Sequence, residues 1–376
     1  MNNAIDNLHR LAARQQGSLS LAGGLPLAAL FPRRLLGLVG LDAARQRNGA
    51  ALQYGWPEGS EGLRRWIASQ LARRGAAVSP EDVIVTTGAQ QALALTLDVL
   101  PEVRRSIAVA PETYPGALDL FRRGAALAYD SRYAGVSYVV AGVGNPSGVD
   151  LTRSERESLL ATGQFLLVDE ACAELRFDGR VGRPLYADAP DHVFHIGTFS
   201  KTLCPDLRIG WLVAPARFRQ PLLAAKRGAD LQAPTLGQDI LERLLERLDW
   251  DEHLVRARKV YRERLERLMH SVRRHLPTFS FCEPEGGYTL FVKSDDPGLD
   301  ELEVLERATA LGTSFDPGRL FRRDEDQRAF AMRLSPCNVQ AASIDHAVVR
   351  LSRALSTRGR AGLAGARRRS ARAAPP

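Results

Sequence analysis

The sequence predicts an α/β fold: a mostly parallel, seven-stranded sheet with helices on both faces, in a three-layer αβα arrangement. Two observations support this prediction. Short runs rich in β-branched residues alternate with segments of helical spacing, and this alternation is typical of strand–helix–strand units in a parallel sheet. The chain has 376 residues, 45% of them hydrophobic, which is enough to bury a large core.

The predicted strands run through the middle of the chain. They cover residues 83–86, 106–110, 126–130, 137–141, 165–169, 193–197 and 209–213. Helical spacing appears between several of them, as over residues 90–100 and 154–161. Active sites in such sheets gather at the carboxyl ends of the strands.

A second, smaller α+β domain is predicted from the elements that follow. A long charged helix over about residues 240–275 leads to a strand at 288–292, a helix at 301–311 and a strand at 329–334. We therefore divide the chain into four parts: an N-terminal segment joining the small domain (1–45), a large domain (46–275), the small domain (276–355) and a disordered arginine-rich tail (356–376).

The net charge of +8 does not predict a nucleic-acid-binding protein. Six arginines and no acidic residue lie in the tail, so most of the excess charge is local. A solvated end is the simpler interpretation, although such a tail could touch nucleic acid or acidic surfaces.

Cysteine spacing and hydropathy indicate the compartment. The four cysteines lie far apart without a C-x-x-C pair, which favours a reduced, cytoplasmic protein and no metal site: Cys172, Cys204, Cys282 and Cys337. No apolar run approaches the roughly 20 residues that cross a bilayer, so we expect no membrane partner.

One lysine stands where covalent chemistry can occur. Lys201 lies in the segment GTFSKTLCPDLRIGW (197–211), in a polar turn directly after an apolar β-run. A lysine so placed can form a Schiff base with an aldehyde, and Arg208, seven residues later, suits a phosphate. Pyridoxal 5'-phosphate (PLP) carries both groups. By itself, a Ser-Lys pair in a loop is usually solvated surface.

Two further segments suit the other ends of such a cofactor. Asp169 ends the apolar strand FLLVD and can pair with a pyridine nitrogen; a helix cap or a surface carboxylate is the alternative. Gly88, Ala89 and Gln90 follow the strand VIVT and open a helix. A glycine turn at a helix N-terminus presents N–H groups to a phosphate, although many α/β proteins have one.

Three more side chains lie at or just after the ends of predicted strands. Asn145, in NPSG, can reach a ring oxygen, and Tyr114, in PETYPG, can stack on a ring; ordinary turn roles explain both equally well. Arg333, in MRLSP, can bind a carboxylate with two hydrogen bonds, or form a surface salt bridge.

Taken together, these segments resemble the fold-type I PLP-dependent aminotransferases of class I and II. The resemblance runs from about Ser18 to about Leu355 and is strongest to the branch of aminoadipate and aromatic aminotransferases and MocR effector domains. Its marks are SLAGGLP with LFP (20–32), LQYGWPEGSEGLR (52–64), VTTGAQQAL (85–93), PETYPGAL (111–118), GNPSG (144–148), VDEACAELRFDG (168–179), GTFSKTLCPDLRIGW and MRLSPC.

The resemblance implies a role for each candidate residue. Lys201 would be the Schiff-base lysine that moves the proton between substrate Cα and cofactor C4′. Tyr54 would reach the phosphate in a neighbouring subunit, which implies a homodimer. The remaining implied contacts are Asp169 on the pyridine nitrogen, Asn145 on the ring oxygen, Tyr114 on the ring face, Gly88, Ala89, Gln90, Ser200 and Arg208 on the phosphate, and Arg333, Gly24 and Asn145 on the substrate.

The implied activity is transfer of the amino group of an L-amino acid to a 2-oxo acid by a ping-pong mechanism. Two alternatives remain open: a PLP-dependent decarboxylase, lyase or cyclase acting on a specialised amino acid, and a non-catalytic PLP-binding sensor domain. About 20 residues precede GGLP, too few for a DNA-binding helix-turn-helix.

Two positions and the length of one segment depart from the family pattern. Cys172 stands where the family usually has a tyrosine that donates to the ring oxygen, and a thiol is a weak donor. We therefore expect the Schiff base to keep its proton to higher pH than usual. Gly144 stands where the family has Gln, which would open the site near the ring. The segment between Asp130 and Ser137 is short, so a peripheral element is expected to be missing.

Overall fold

A seven-stranded sheet forms the centre of the computed structural model, which describes residues 2–45, 49–100, 106–124, 126–128, 134–324 and 329–356. Two smaller sheets, of two and three strands, are also present in the described ranges. In chain order the strands of all three sheets are β1 (Leu19–Ser20), β2 (Val83–Thr86), β3 (Ser106–Ala108), β4 (Ala126–Ala128), β5 (Val136–Val140), β6 (Phe165–Asp169), β7 (Val193–Thr198), β8 (Gly210–Val213), β9 (Leu290–Ser294), β10 (Thr313–Ser314), β11 (Asp316–Pro317) and β12 (Phe330–Leu334).

Eleven α-helices accompany these strands in the described ranges. They are α1 (Asn2–Arg14), α2 (Arg33–Ala44), α3 (Glu61–Arg73), α4 (Ala89–Val99), α5 (Pro115–Phe121), α6 (Arg153–Ala161), α7 (Arg219–Asp230), α8 (Thr235–Arg247), α9 (Trp250–His275), α10 (Glu301–Ala310) and α11 (Ile344–Ser356).

The large sheet has the strand order β2-β8-β7-β6-β5-β3-β4. Only β8 runs antiparallel to its neighbours β2 and β7. The prediction of a mostly parallel seven-stranded α/β sheet is confirmed. Apolar side chains fill both faces because helices α4, α5 and α7 cover one of them and α3, α8 and the start of α9 cover the other.

The reversed strand β8 explains how distant segments meet. The chain turns back after β7, so the turn at residues 199–209 lies at the carboxyl end of β7 and the start of β8. Strand β2 is antiparallel to β8 and so points the same way as β7. The carboxyl ends of β2, β5, β6 and β7 therefore share one edge of the sheet.

The long helix predicted over residues 240–275 is wrong in one respect, because the structure has two helices there. Helix α8 ends at Arg247, and Leu248 is extended with ψ 126°. The Asp249 side chain then accepts a hydrogen bond from the Glu252 N–H and caps the start of α9. An aspartate N-cap satisfies one of the N–H groups that a helix start leaves unpaired.

A second core lies around the C-terminal elements. The antiparallel sheet β11-β12-β9 packs with α10, α11 and the second half of α9. The N-terminal segment joins it, since β1 pairs in parallel with β10 and Ile5 of α1 is buried in the same cluster. Helix α1 was not among the predicted elements. The domain boundaries at residues 45, 275 and 355 stay a prediction, and the arginine-rich tail from residue 357 lies outside the described residues.

Within the described ranges, no helix is both long and apolar enough to span a membrane.

Close contact among three glycines, Gly88, Gly197 and Gly210, fixes the junction of β2, β8 and β7, and it yields a stability prediction. A Cβ on Gly210 would lie 2.7 Å from the Gly197 O and 2.9 Å from the Gly88 Cα, both backbone atoms. We expect Gly210→Ala to lower the free energy of unfolding by about 2 kcal/mol, because backbone cannot move aside as a side chain can. Thermal unfolding measures this.

The matched control is Gly228→Ala in α7, where an added Cβ meets no atom within 4 Å. That change should leave stability unaltered or raise it by up to about 1 kcal/mol. Equal thermal midpoints for Gly210→Ala and the unmodified protein would contradict the close-packing argument.

Candidate functional site

A buried carboxylate marks the centre of the candidate site. Asp169, at the end of β6, is 4% exposed and accepts hydrogen bonds from the Tyr138 O–H at 2.9 Å and the Ala171 N–H at 3.0 Å. Burial raises the pKa of Asp169, and these hydrogen bonds and the nearby Lys201 charge oppose the rise. In the described part of the chain no cation is hydrogen-bonded to it. A buried carboxylate without a cationic hydrogen-bond partner is suited to hold a cationic ligand group.

Lys201 lies close to this carboxylate in the turn between β7 and β8. The turn is held by Thr198, whose Oγ1 accepts from the Ser200 N–H at 3.1 Å and lies 3.0 Å from the Ser200 Oγ. The Lys201 ammonium forms no hydrogen bond or ion pair with any described residue, although its charge acts on both Asp169 and Cys172. An unpaired amine at a strand end is available for covalent chemistry.

The turn before α4 and the end of the lysine turn form an anion cradle. Gly88 caps α4 with a φ of +94°, and Arg208 adopts the left-handed region with a φ of 51°. The Arg208 Nη2 donates to the Thr87 O at 3.1 Å, and a Cβ on Gly88 would lie 2.9 Å from that nitrogen. Glycine is therefore required at position 88, and the cradle combines a guanidinium with the N–H groups of a helix N-terminus.

Ala89 and Gln90 lie beside the anion cradle, and they differ in what they contribute to it. Ala89 is the first residue of α4, so its N–H belongs to the helix start. The Gln90 side chain donates to the Gly116 O at 2.7 Å, while its Oε1 is buried without a partner in the described residues. Gln90 thus holds the loop of Tyr114 against the helix start.

Tyr114 precedes α5 and is half-buried. Burial raises its pKa, and the charge of Asp169 raises it further, while Arg333 and Arg208 lower it. The phenol therefore lies within electrostatic reach of the carboxylate, the cradle and the arginine described next.

Arg333, Asn145 and Gly24 come together on the opposite side of the site. The Arg333 Nη1 donates to the Asn145 Oδ1 at 3.0 Å. The Arg333 guanidinium lies 4.6 Å from the centre of the Phe321 ring. A Cβ added to Gly24 would lie 2.7 Å from the Arg333 Nη2. The guanidinium is therefore enclosed between an aromatic ring and the backbone of the N-terminal segment.

Two residues of this site were missed by the sequence reasoning. The pattern over residues 137–141 predicts only a strand position for Tyr138, yet its hydroxyl binds Asp169. Asp316, in SFDPG, accepts from the Arg333 Nε at 3.0 Å and Nη2 at 2.7 Å. A carboxylate between an apolar residue and a Pro-Gly turn was the only sequence signal for Asp316.

The surroundings of Cys172 and Gly144 bear on two departures from the family pattern. Burial raises the pKa of the Cys172 thiol to about 11, so it is neutral at physiological pH, and the charges of Lys201, Asp169 and Arg333 act on it. The expectation that Gly144 opens the site near the ring stays a prediction; a Cβ at this position would collide with the Ser147 Oγ and lie 2.8 Å from the Val149 O. The short segment after Asp130 lies partly outside the described residues, so its expected missing element stays a prediction.

Tyr54 does not join the site of its own chain. Its side chain is 77% exposed and forms no hydrogen bond with the described residues. Leu52 and Trp56 on the same loop are 65% and 75% exposed, so this loop presents three large apolar or aromatic side chains to solvent.

Comparison with known proteins identifies relatives of this fold and site. Residues 128–351 match the family Aminotransferase class I and II. An aromatic-amino-acid aminotransferase of Thermococcus litoralis is 30% identical, covering 89% of this chain and 87% of the relative. A 2-aminoadipate transaminase of Thermus thermophilus is 31% identical and covers 91% of each. The crystal structure of α-aminoadipate aminotransferase LysN from Thermus thermophilus, complexed with N-(5'-phosphopyridoxyl)-L-leucine, superposes with a TM-score of 0.82 at 30% identity, over 96% of this chain and 95% of the other.

Proposed function

We propose how the residues at this sheet edge carry out catalysis in a chain that belongs to the class I and II aminotransferase family. The protein is a PLP-dependent aminotransferase, acting on an amino acid and a 2-oxo acid. The proposal rests on one observation above all: the buried Asp169 carboxylate has no cation hydrogen-bonded to it in the described part of the chain, and the unpaired Lys201 amine lies near it.

The residues present fit PLP at each of its polar groups. Asp169 would hold the protonated pyridine nitrogen, and Gly88, Ala89, Ser200 and Arg208 would hold the phosphate, while Gln90 supports the loop that carries Tyr114. Bound PLP supplies an electron sink for the bond broken at the substrate Cα. Tyr114 would cover the ring, and the Asn145 amide would donate to the ring oxygen.

The hydrogen bond from Arg333 fixes the direction of the Asn145 amide. Because the Asn145 Oδ1 accepts from the arginine at 3.0 Å, the Nδ2 donors point away from it. The amide can therefore donate to the ring oxygen while the guanidinium binds the substrate carboxylate.

Lys201 would do the proton chemistry. It would hold the cofactor aldehyde, and its amine would accept and return the proton at the substrate Cα. No described residue forms a hydrogen bond with this side chain, so no such bond has to break before it reaches the cofactor aldehyde or the substrate Cα. The second half-reaction would use the same amine in reverse with the 2-oxo acid.

We also propose a cytoplasmic homodimer. The exposed side chains of Leu52, Tyr54 and Trp56 suit a subunit contact, and Tyr54 would then reach the phosphate bound in the partner's site. The absence of any disulfide among four free cysteines supports a reducing compartment.

The visible absorption spectrum tests this function directly. We expect a yellow protein whose band is bleached by one or a few single amino acids without any 2-oxo acid, with stoichiometric pyridoxamine phosphate recovered. Lys201→Ala should still bind PLP, but noncovalently, and lose turnover, because Lys201 is the one described lysine in the turn beside Asp169.

Three results would contradict the proposal. Retained turnover in Lys201→Ala would remove the lysine from its role. A yellow band that no amino acid bleaches would favour a sensor domain. Bleaching with release of CO₂ or an elimination product and no pyridoxamine phosphate would favour a decarboxylase or lyase.

The carboxylate role of Arg333 gives a second prediction. Arg333→Ala should raise the KM for both the amino acid and the 2-oxo acid by a factor equivalent to about 2–4 kcal/mol, because a charge-assisted contact in an enclosed site is lost. Steady-state kinetics measures this, with thermal unfolding as a check on folding. A change below twofold would exclude Arg333 from the carboxylate role.

The thiol at position 172 gives a third prediction. In Cys172→Tyr, a phenol donor would stabilise an anionic ring oxygen, so the pH at which the visible band changes should fall. Cys172→Ala is the matched control and should leave that pH nearly unchanged, since the neutral thiol is a weak donor. Identical titrations of the tyrosine variant and the unmodified protein would disprove the idea.

A further inference from the structure

We propose that Asp316 is a positioning residue for the carboxylate-binding arginine, and that it links Arg333 to the N-terminal segment lying over the site. This inference rests on the proposed role of Arg333. Asp316 is buried, and its carboxylate accepts from the Arg333 Nε at 3.0 Å and Nη2 at 2.7 Å. It also accepts from the Gly23 N–H at 3.0 and 3.1 Å.

The surroundings of Arg333 leave one direction open for a ligand. Asp316 occupies the side of the guanidinium formed by Nε and Nη2. The Phe321 ring, 4.6 Å away, covers one face, and Gly24 approaches the Nη2 so closely that a Cβ would not fit. The Nη1 uses one N–H for the Asn145 Oδ1 at 3.0 Å, so the second N–H of Nη1 and the second N–H of Nη2 remain to bind a substrate carboxylate.

The antiparallel register of the small sheet produces this arrangement. Asp316 of β11 lies directly opposite Arg333 of β12. Both side chains are mostly buried, so the arginine would otherwise have to leave water without a charged partner. A buried guanidinium is held in one orientation when a carboxylate binds it with two hydrogen bonds. Asp316 therefore sets the direction of Arg333 before a substrate arrives.

The N-terminal segment shares the same carboxylate. The Gly23 N–H binds Asp316, while the neighbouring Ala22 O accepts from the Asn338 side chain at 3.0 Å and the Leu21 O accepts from the Ser335 N–H at 2.7 Å. Displacement of Asp316 would thus disturb both the arginine and the strand end that covers it. Asp316 touches neither the substrate nor the cofactor in this arrangement; it acts through Arg333 and Gly23.

Asp316→Asn tests the inference, because an amide of the same size has one acceptor oxygen and would turn an N–H₂ group toward a donor. We expect the dissociation constant for a 2-methyl amino acid, chosen to match the donor that bleaches the band and lacking a Cα proton, to rise about tenfold or more. Titration of the visible spectrum measures this binding without turnover. The KM for the 2-oxo acid should rise similarly, and kcat should change less.

Glu301→Gln is the matched control. Glu301 is also a buried carboxylate of the small domain, and it accepts from the Arg322 Nη2 at 2.6 Å and from the Ala331 N–H at 3.0 Å, without a hydrogen bond to Arg333 or Gly23. Both variants should lower the thermal midpoint, but only Asp316→Asn should weaken carboxylate binding. Should Asp316→Asn not fold, Asp316→Glu keeps both acceptor oxygens and moves them by one methylene, and it should give a smaller rise in the same constant.

Arg333→Ala separates failure of this inference from failure of the proposed function. Where Arg333→Ala raises the dissociation constant strongly, a constant within twofold of the unmodified value in Asp316→Asn (or in Asp316→Glu where that variant is used) overturns the role of Asp316 and leaves the role of Arg333 intact. If Arg333→Ala leaves the constant unchanged as well, the carboxylate role within the proposed function fails, and the inference fails with it. Equal weakening in Glu301→Gln would assign the effect to general destabilisation and also overturn the inference.

Discussion

The burial of one carboxylate constrains everything else in this site. Asp169 lies at the end of an apolar strand in the middle of the large sheet, where the loss of water disfavours its charge. Two hydrogen bonds, from Tyr138 and Ala171, offset part of that cost. A cation on the ligand would offset more of it, so the free energy of ligand binding and the stability of the sheet edge are linked. The unpaired Lys201, in the turn after the neighbouring strand β7, belongs to the same electrostatic unit.

The two ends of the site are built from different parts of the molecule. The cofactor end stands on strand termini of the large sheet, and the arginine end stands on the small antiparallel sheet and the N-terminal segment. The 3.0 Å hydrogen bond between Arg333 and Asn145 joins them. Any movement of one part against the other would change the distance from the lysine to the arginine, which is the distance that a bound amino acid must span.

Sequence reasoning identified the strand ends and the residues just after them, because apolar runs that stop on polar residues are visible in one dimension. It could not identify Tyr138 or Asp316, because each acquires its role from register: Tyr138 reaches the carboxylate on the neighbouring strand, and Asp316 lies opposite Arg333. The break between α8 and α9 was visible as an aspartate helix cap at Asp249 and was overlooked within a continuous charged pattern. Tyr54 could not be placed from one chain, since its proposed partner lies in another.

The turn that carries Lys201 connects two interior strands, β7 and β8, and not an edge pair. The Phe199 N–H donates to the Ile209 O, and the Leu203 N–H donates to the Phe199 O, so the turn is closed by its own backbone. Opening of these two hydrogen bonds requires separation of strands that are flanked on both sides, so we expect the Phe199 and Leu203 amide protons to exchange slowly with solvent. The lysine thus combines a side chain that no described residue binds with a backbone held by hydrogen bonds on either side of it.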